Sequence, residues 1–220
     1  MHFWKRVGFL IAVGIGLGAL QGEPRNAKWE QEISAIEQRE AETPPPANGI
    51  VFTGSSSIRL WKTLAEDFPH HPVVNRGFGG SQISDLIGYF DRVVVPTHPR
   101  QVVVYSGTND ISGGESAEQV LADWATLCGM IEVALPGTKI ALIAAAPNPA
   151  RWSQRAEQSR FNALAAAYCA RNGYDFIDVW TPMLGADGTP SRDIYVDDKL
   201  HMNAAGYVMW RAIVAPYLID

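Results

Sequence analysis

Two short stretches carry residue types able to do nucleophilic chemistry together. The run "VFTGSSSIRLW", residues 51–61, places Ser55, Ser56 and Ser57 directly after an apolar segment and a glycine. The run "YVDDKLHMNAAGY", residues 195–207, places His201 three residues after Asp198. A serine hydroxyl is a weak nucleophile until a base takes its proton. The usual base is a histidine whose ring is oriented by a carboxylate. An Asp-x-x-His pair can meet across one turn, so Asp198 and His201 are the candidate orienting acid and base, with Asp197 as the neighbouring alternative. The other histidines fit less well. His2 lies in the apolar N-terminal region, and His70, His71 and His98 stand beside prolines in loops that read as entering strands. By itself the serine run is equally a helix cap or a phosphate cradle, and it does not select one serine.

Acyl transfer also needs donors for the oxyanion that develops in the transition state. Two more loops offer them. "NRGFGGS" contains Gly80, whose N–H can approach a ligand closely because there is no side chain. "SGTND" contains Asn109, with a side-chain amide. Taken singly, Gly77, Gly79 and Gly80 read as a tight turn, and Asn109 as an Asx turn or cap.

These residues need elements to bring them together. From residue 50, short apolar runs alternate with amphipathic helical segments. "GIVFTG", "PVVNRG", "RQVVVY", "TKIALI" and "YDFIDV" read as strands. "SIRLWKTLAEDF", "ISDLIGYFDRVV", "SAEQVLADWATLCGMIEVAL", "QRAEQSRFNALAAAYCARNG" and "NAAGYVMWRAIVAPYLI" read as helices. That alternation predicts an α/β fold: a three-layer α/β/α, flavodoxin-like parallel five-stranded sheet over residues 50–220. In such sheets ligands bind outside the carboxyl ends of the strands. "TGSSS", "RGFGGS" and "SGTND" all fall at that edge, whereas His70, His71 and His98 fall at the other. Smaller expectations follow. Trp61 packs a helix, Arg151 and Trp152 are candidate pocket-lining residues, Asp110 caps a turn, Asp178 is structural, and Ser57 begins a helix.

Composition narrows the classes. The 220 residues are 47% hydrophobic and 19% charged, a globular balance, with a formal net charge of −5. An acidic chain without a basic block argues against nucleic acid as a partner. Lys5 and Arg6 precede an uncharged run at residues 7–20, followed by small and polar residues. This predicts a secretory signal peptide over 1–22, hence a periplasmic or secreted protein with no stable membrane insertion after cleavage; an uncleaved anchor is the alternative. Residues 23–49 read as a leading helix, with Trp29, Ile33 and Ile36 at helical spacing, and a connector containing Pro44, Pro45 and Pro46. Cys128 and Cys169 lie in helical stretches and are expected as buried free thiols, although an oxidising compartment leaves a disulfide open. No metal-ligand spacing is present, and no metal or cofactor is expected. The sequence leaves oligomeric state open.

Four blocks, in order, resemble the SGNH (GDSL-type) hydrolases: "FTGSSSI", "NRGFGG", "SGTND" and "DKLH". The resemblance spans residues 50 to about 210. It implies Ser56 as nucleophile, Asp198 and His201 as the catalytic pair, and the Ser56 N–H, Gly80 N–H and Asn109 amide as the oxyanion hole. It also implies a serine esterase cleaving short-chain, acetyl-like carboxylic esters of a small-molecule, carbohydrate or lipid substrate, without a cofactor. Ser55 stands where the family's Gly-Asp-Ser has its Asp. The resulting Gly-Ser-Ser-Ser is similar to members related to platelet-activating-factor acetylhydrolase. Two other readings stay open beside it. An α/β-hydrolase would want Gly-x-Ser-x-Gly, but Ile58 occupies the second glycine position. A non-catalytic flavodoxin-like module could bind phosphate or an acylated sugar with the serine loop, but leaves Asp198 and His201 without a role.

Overall fold

The computed structural model describes residues 27–220; the expected signal peptide, residues 1–22, lies outside the described residues. Strands β1 (Ile50–Gly54), β2 (Val73–Gly77), β3 (Gln101–Tyr105), β4 (Lys139–Ile143) and β5 (Asp175–Ile177) form one sheet in the order β2-β1-β3-β4-β5, every pair parallel. The apolar strand runs follow from this position, because helices cover both faces. In β3, Val102 and Val104 join one core while Val103 and Tyr105 join the other, the period of two that a strand imposes.

The helices divide between the two faces. Helix α1 (Glu30–Glu42), α4 (Ile83–Gly88), α5 (Phe90–Val93), α7 (Ala117–Ala134) and α8 (Arg155–Asn172) supply the first core. Helix α2 (Ser56–Arg59), α3 (Leu64–Asp67) and α9 (Ala204–Val214) supply the second. A short helix α6 (Thr108–Ser112) follows β3 at the carboxyl edge. The result is the three-layer α/β/α arrangement expected from the sequence. Cys128 and Cys169 are buried free thiols in α7 and α8, and burial raises both thiols, Cys169 to about 11. Among the described residues no helix is long and apolar enough to cross a membrane.

Three elements depart locally from the expectation. "SIRLWKTLAEDF" is two short helices rather than one. The Asn75 side-chain amide donates to the carbonyls of Ile58 (2.6 Å) and Trp61 (3.2 Å), which a continuing helix would need. Trp61 turns into the core against Phe52, Phe68 and Trp210 instead. "ISDLIGYFDRVV" breaks between Gly88 and Phe90, and the buried Arg76 guanidinium donates to the carbonyls of Arg92 and Val93 at the end of α5. "SGTND" is not only loop, since Asn109 and Asp110 lie in α6.

Helix α1 is strapped to the first face. Trp29, Ile33 and Ile36 are buried, as their spacing predicts. Arg92 pairs with Glu30 (2.9 Å) and Glu37 (2.7 Å), and Arg76 pairs with Glu40. The helix stops at Thr43, ahead of the prolines.

Candidate active site

The serine loop leaves β1 through Gly54, whose φ of +113° is the left-handed region and whose missing Cβ would lie 2.0 Å from the Tyr105 carbonyl oxygen. Only glycine fits there. Ser55 then donates its N–H to that same Tyr105 carbonyl (3.0 Å), and its own carbonyl accepts from Ile58 and Arg59. Ser55 is thus a buried N-cap that fixes the corner through its backbone, with no side-chain cap bond. Helix α2 begins at Ser56, one residue earlier than expected from Ser57. Ser55 and Ser57 are buried, and Ser57 is pinned by the Tyr207 hydroxyl donating to its carbonyl (3.0 Å). Ser56 is the partly exposed member of the three.

Its hydroxyl is 2.8 Å from His201 Nε2, and His201 Nδ1 is 2.6 Å from Asp198 Oδ2. A carboxylate only accepts, so Nδ1 carries the proton and Nε2 presents its lone pair to the serine. Asp198 Oδ1 accepts the backbone N–H groups of Leu200 (2.8 Å) and His201 (2.9 Å). Burial alone would raise the Asp198 carboxyl, but these N–H donors and the imidazole outweigh it and bring it down to about 2. The carboxylate is therefore anionic throughout the neutral range. Asp198, not Asp197, makes the ring contact. The arrangement can move a proton from Ser56 Oγ to His201 and hold the resulting imidazolium.

The sheet order sets the other two loops beside this corner. In register, Gly54 at the end of β1 faces Gly77 on β2 and Tyr105 on β3. Gly80, exposed at φ +74°, follows β2. Asn109 follows β3, and its amide N–H₂ donates to the Ser81 carbonyl (2.9 Å) while its Oδ1 accepts from Arg151 (2.9 Å). One amide N–H of Asn109 is left over from the Ser81 bond, since an N–H₂ has two. Arg151, a candidate pocket-lining residue, thus fixes which way the Asn109 amide faces. Asp110 does more than cap a turn. Its Oδ1 accepts from Ile83 N–H (2.7 Å) and its Oδ2 from Gly107 N–H (2.9 Å), tying the loop after β3 to the loop after β2.

Gly80, Gln82, Asn109 and Arg151 line a cleft of about 610 Å³ together with Lys28 and Trp29. Lys28 and Trp29 come from the leading segment, which the sequence offered only as packing. A stripe of apolar residues gives no sign that one of them reaches a functional loop. A larger cleft, about 810 Å³, lies between α1 and the α2–α3 segment and contains neither Gly80 nor Asn109; the smaller one borders both of these residues. Trp152 stacks on Trp180 (5.9 Å between ring centroids). Asp178 accepts from the N–H groups of Trp180 and Thr181, a structural turn. Among the described residues no three His, Cys, Asp or Glu side chains gather as a metal site.

Comparison with known proteins agrees with the fold. No curated protein sequence matches the chain. Solved structures with the same fold include a Streptococcus pneumoniae protein named for platelet activating factor (TM-score 0.76, 21% identity, covering 87% of this chain and 94% of that one). A GDSL-like lipase from Bacteroides thetaiotaomicron has TM-score 0.72 at 22% identity, over 84% and 96% of the two chains. An acetylxylan esterase from Geobacillus stearothermophilus has TM-score 0.63 at 14% identity, over 79% and 96%. The sequence model of the GDSL-like lipase/acylhydrolase family matches residues 48–209, so the chain belongs to that family of carboxylic ester hydrolases.

Proposed function

We propose that this chain hydrolyses short-chain, acetyl-like carboxylic esters through an acyl-enzyme on Ser56. His201 Nε2 takes the Ser56 proton as Oγ bonds to the acyl carbon. The carbonyl oxygen becomes an oxyanion, held by the N–H groups of Ser56 and Gly80 and by the Asn109 amide. Ser56 is the first residue of α2, and the first N–H groups of a helix have no carbonyl partner within it. The imidazolium, stabilised by Asp198, gives its proton to the leaving alkoxide as the ester C–O bond breaks. A water, deprotonated by the same histidine, attacks the acyl-serine. The carboxylic acid leaves and Ser56 regains its proton.

The observation that carries this reading is the continuous contact from Ser56 Oγ through His201 to Asp198, at 2.8 Å and 2.6 Å. A phosphate- or sugar-binding module would have no use for it. The small acyl group is supported by the largely polar lining of the cleft beside Gly80 and Asn109, where Gln82, Ser84, Asp85 and Arg151 leave Trp29 as the one large apolar wall. That a structural neighbour is an acetylxylan esterase points the same way. The substrate is an ester of a small alcohol, carbohydrate or lipid headgroup. We infer export through the segment 1–22, which N-terminal sequencing of the mature protein tests. The deciding experiment is an acyl-chain-length series of p-nitrophenyl esters on wild type and Ser56→Ala. Acetate and propionate should turn over best, and Ser56→Ala should lose on the order of 10³-fold or more in kcat. Full activity in Ser56→Ala, with Ser55→Ala or Ser57→Ala inactive, would falsify the assignment.

A further inference from the structure

The leading segment grips the peptide group that carries an oxyanion donor. Gly79 C=O and Gly80 N–H belong to one planar trans peptide, so they point in opposite directions and turn together. The indole N–H of Trp29 donates to the Gly79 carbonyl at 2.6 Å. Trp29 is buried, edge-on to Phe78 at 5.9 Å, so this indole has little freedom to leave. The Gly79 N–H in turn donates to Glu32 Oε2 at 2.9 Å, which fixes the preceding peptide. Arg59, three residues after Ser56 in α2, lies 3.7 Å from the same Glu32 carboxylate. Residues 27–32 therefore touch both the oxyanion loop and the helix that begins at Ser56. All lie before residue 48, where the family match begins.

A Gly-Gly peptide is the one most prone to flip, since neither side carries a Cβ to resist rotation. Gly80 already sits at φ +74°, and a Cβ there would meet only Lys28 Nζ, at 3.6 Å. Packing around Gly80 is thus too open to hold the plane. Trp29 holds it directly, and Glu32 holds the peptide just before it. A carbonyl that accepts a hydrogen bond also polarises its own peptide, making the N–H a stronger donor.

We propose that Trp29 and Glu32 are positioning residues for catalysis: by clamping Gly79 they aim the Gly80 N–H at the oxyanion and strengthen it. This rests on the esterase reading for its kinetic consequence but not for its geometry. The test uses the full chain with Trp29→Phe, which keeps an aromatic ring in the Phe78 pocket and removes only the donor. A second pair, Glu32→Ala and Glu32→Gln, removes the acceptor or retains one, in case Trp29→Phe fails to fold. Expected on p-nitrophenyl acetate is a kcat loss of roughly 10- to 100-fold with KM within about twofold, because the donor acts on the transition state. Inhibition by a boronic acid, whose tetrahedral adduct places an oxygen where the oxyanion forms, should weaken by the same factor. Glu32→Gln should recover most of what Glu32→Ala loses. The residual dipolar coupling and order parameter of the Gly80 N–H, measured in ¹⁵N-labelled protein, should both change in Trp29→Phe. An unchanged Gly80 N–H vector overturns the clamp whatever the kinetics. A changed vector with kcat and boronate affinity intact overturns its catalytic role. Wild type inactive on every ester overturns the esterase reading, and the Gly80 vector still decides the clamp.

Discussion

Asp198 and His201 are three residues apart on one loop, and apart from the Ser56 hydroxyl the bonds that orient the ring are made within residues 198–201. Gly80 and Asn109 are held quite differently. Asn109 is fixed by Ser81 and Arg151, 28 and 42 residues away, and Asp110 beside it joins Ile83 to Gly107 from a buried position. The acid–base side is mostly local, tied to the rest of the fold chiefly by the Ala150 N–H to the Lys199 carbonyl (3.1 Å). The oxyanion side is spread over four loops and shares its bonds with the fold. A base must move a proton and tolerate a change of charge, so a small, partly solvated device suits it. Oxyanion donors act by staying still, which requires tying them into the core.

The contrast breaks most visibly at His201. Replacing it by Ala removes the proposed base while touching only an exposed loop and Ser56. We expect about 10³-fold or more off kcat, with a melting temperature close to wild type. A large drop in melting temperature would show that this side, too, supports the fold.

Asn109→Ala should behave otherwise. Loss of one oxyanion donor costs on the order of 10²-fold in kcat. Here the same change leaves the Ser81 carbonyl without its amide donor and Arg151 with only the Thr108 carbonyl, so the melting temperature should fall as well. Steady-state kinetics and thermal denaturation on the same preparation check both. If Asn109→Ala melts like wild type, the two sides are not built on different principles.

The same contrast explains what could be read from sequence. The five strands, their parallel sense and the Asp198–His201 pair rest on short-range patterns: short apolar runs, strand–helix alternation, and a three-residue spacing. Ser56 was reachable only as part of a block. What sets it apart in space is that Ser55 and Ser57 are buried, the latter fixed by Tyr207, 150 residues on. The break after α2 was not legible, because the group that takes its last carbonyls, Asn75, belongs to a strand. Arg151 had a candidate role in the pocket, but its grip on Asn109 leaves no spacing to detect. Trp29 read as one residue of an apolar stripe, and nothing in a stripe says that its indole N–H reaches Gly79.

The smallest expected effect also separates the two sides, through pH. The Asp198 carboxyl is lowered to about 2 from an ordinary 3.8, so what it adds to stability is present above about pH 4 and lost as pH falls toward 2. Its exposure and screening by solvent keep that contribution small. Asp110 has the opposite sign. Burial pushes its carboxyl up to about 6, against the pull of the Ile83 and Gly107 N–H groups. An acid whose folded pKa lies above its unfolded one binds its proton better when folded. Its contribution is therefore fully present below about pH 4 and lost as pH rises through about 6. Asp110→Asn keeps one acceptor where the carboxyl uses two oxygens, so one of the two backbone bonds must go, at a cost of about 1–3 kcal/mol, with only a few-fold loss of kcat. Because Asn does not titrate, the stability gap between wild type and Asp110→Asn should narrow between pH 4 and pH 7. The gap for Asp198→Asn should stay level over that range and change only in stronger acid. Denaturant melts of the three proteins across pH 3–7 check this, and parallel behaviour of the two variants would erase the distinction between the sides.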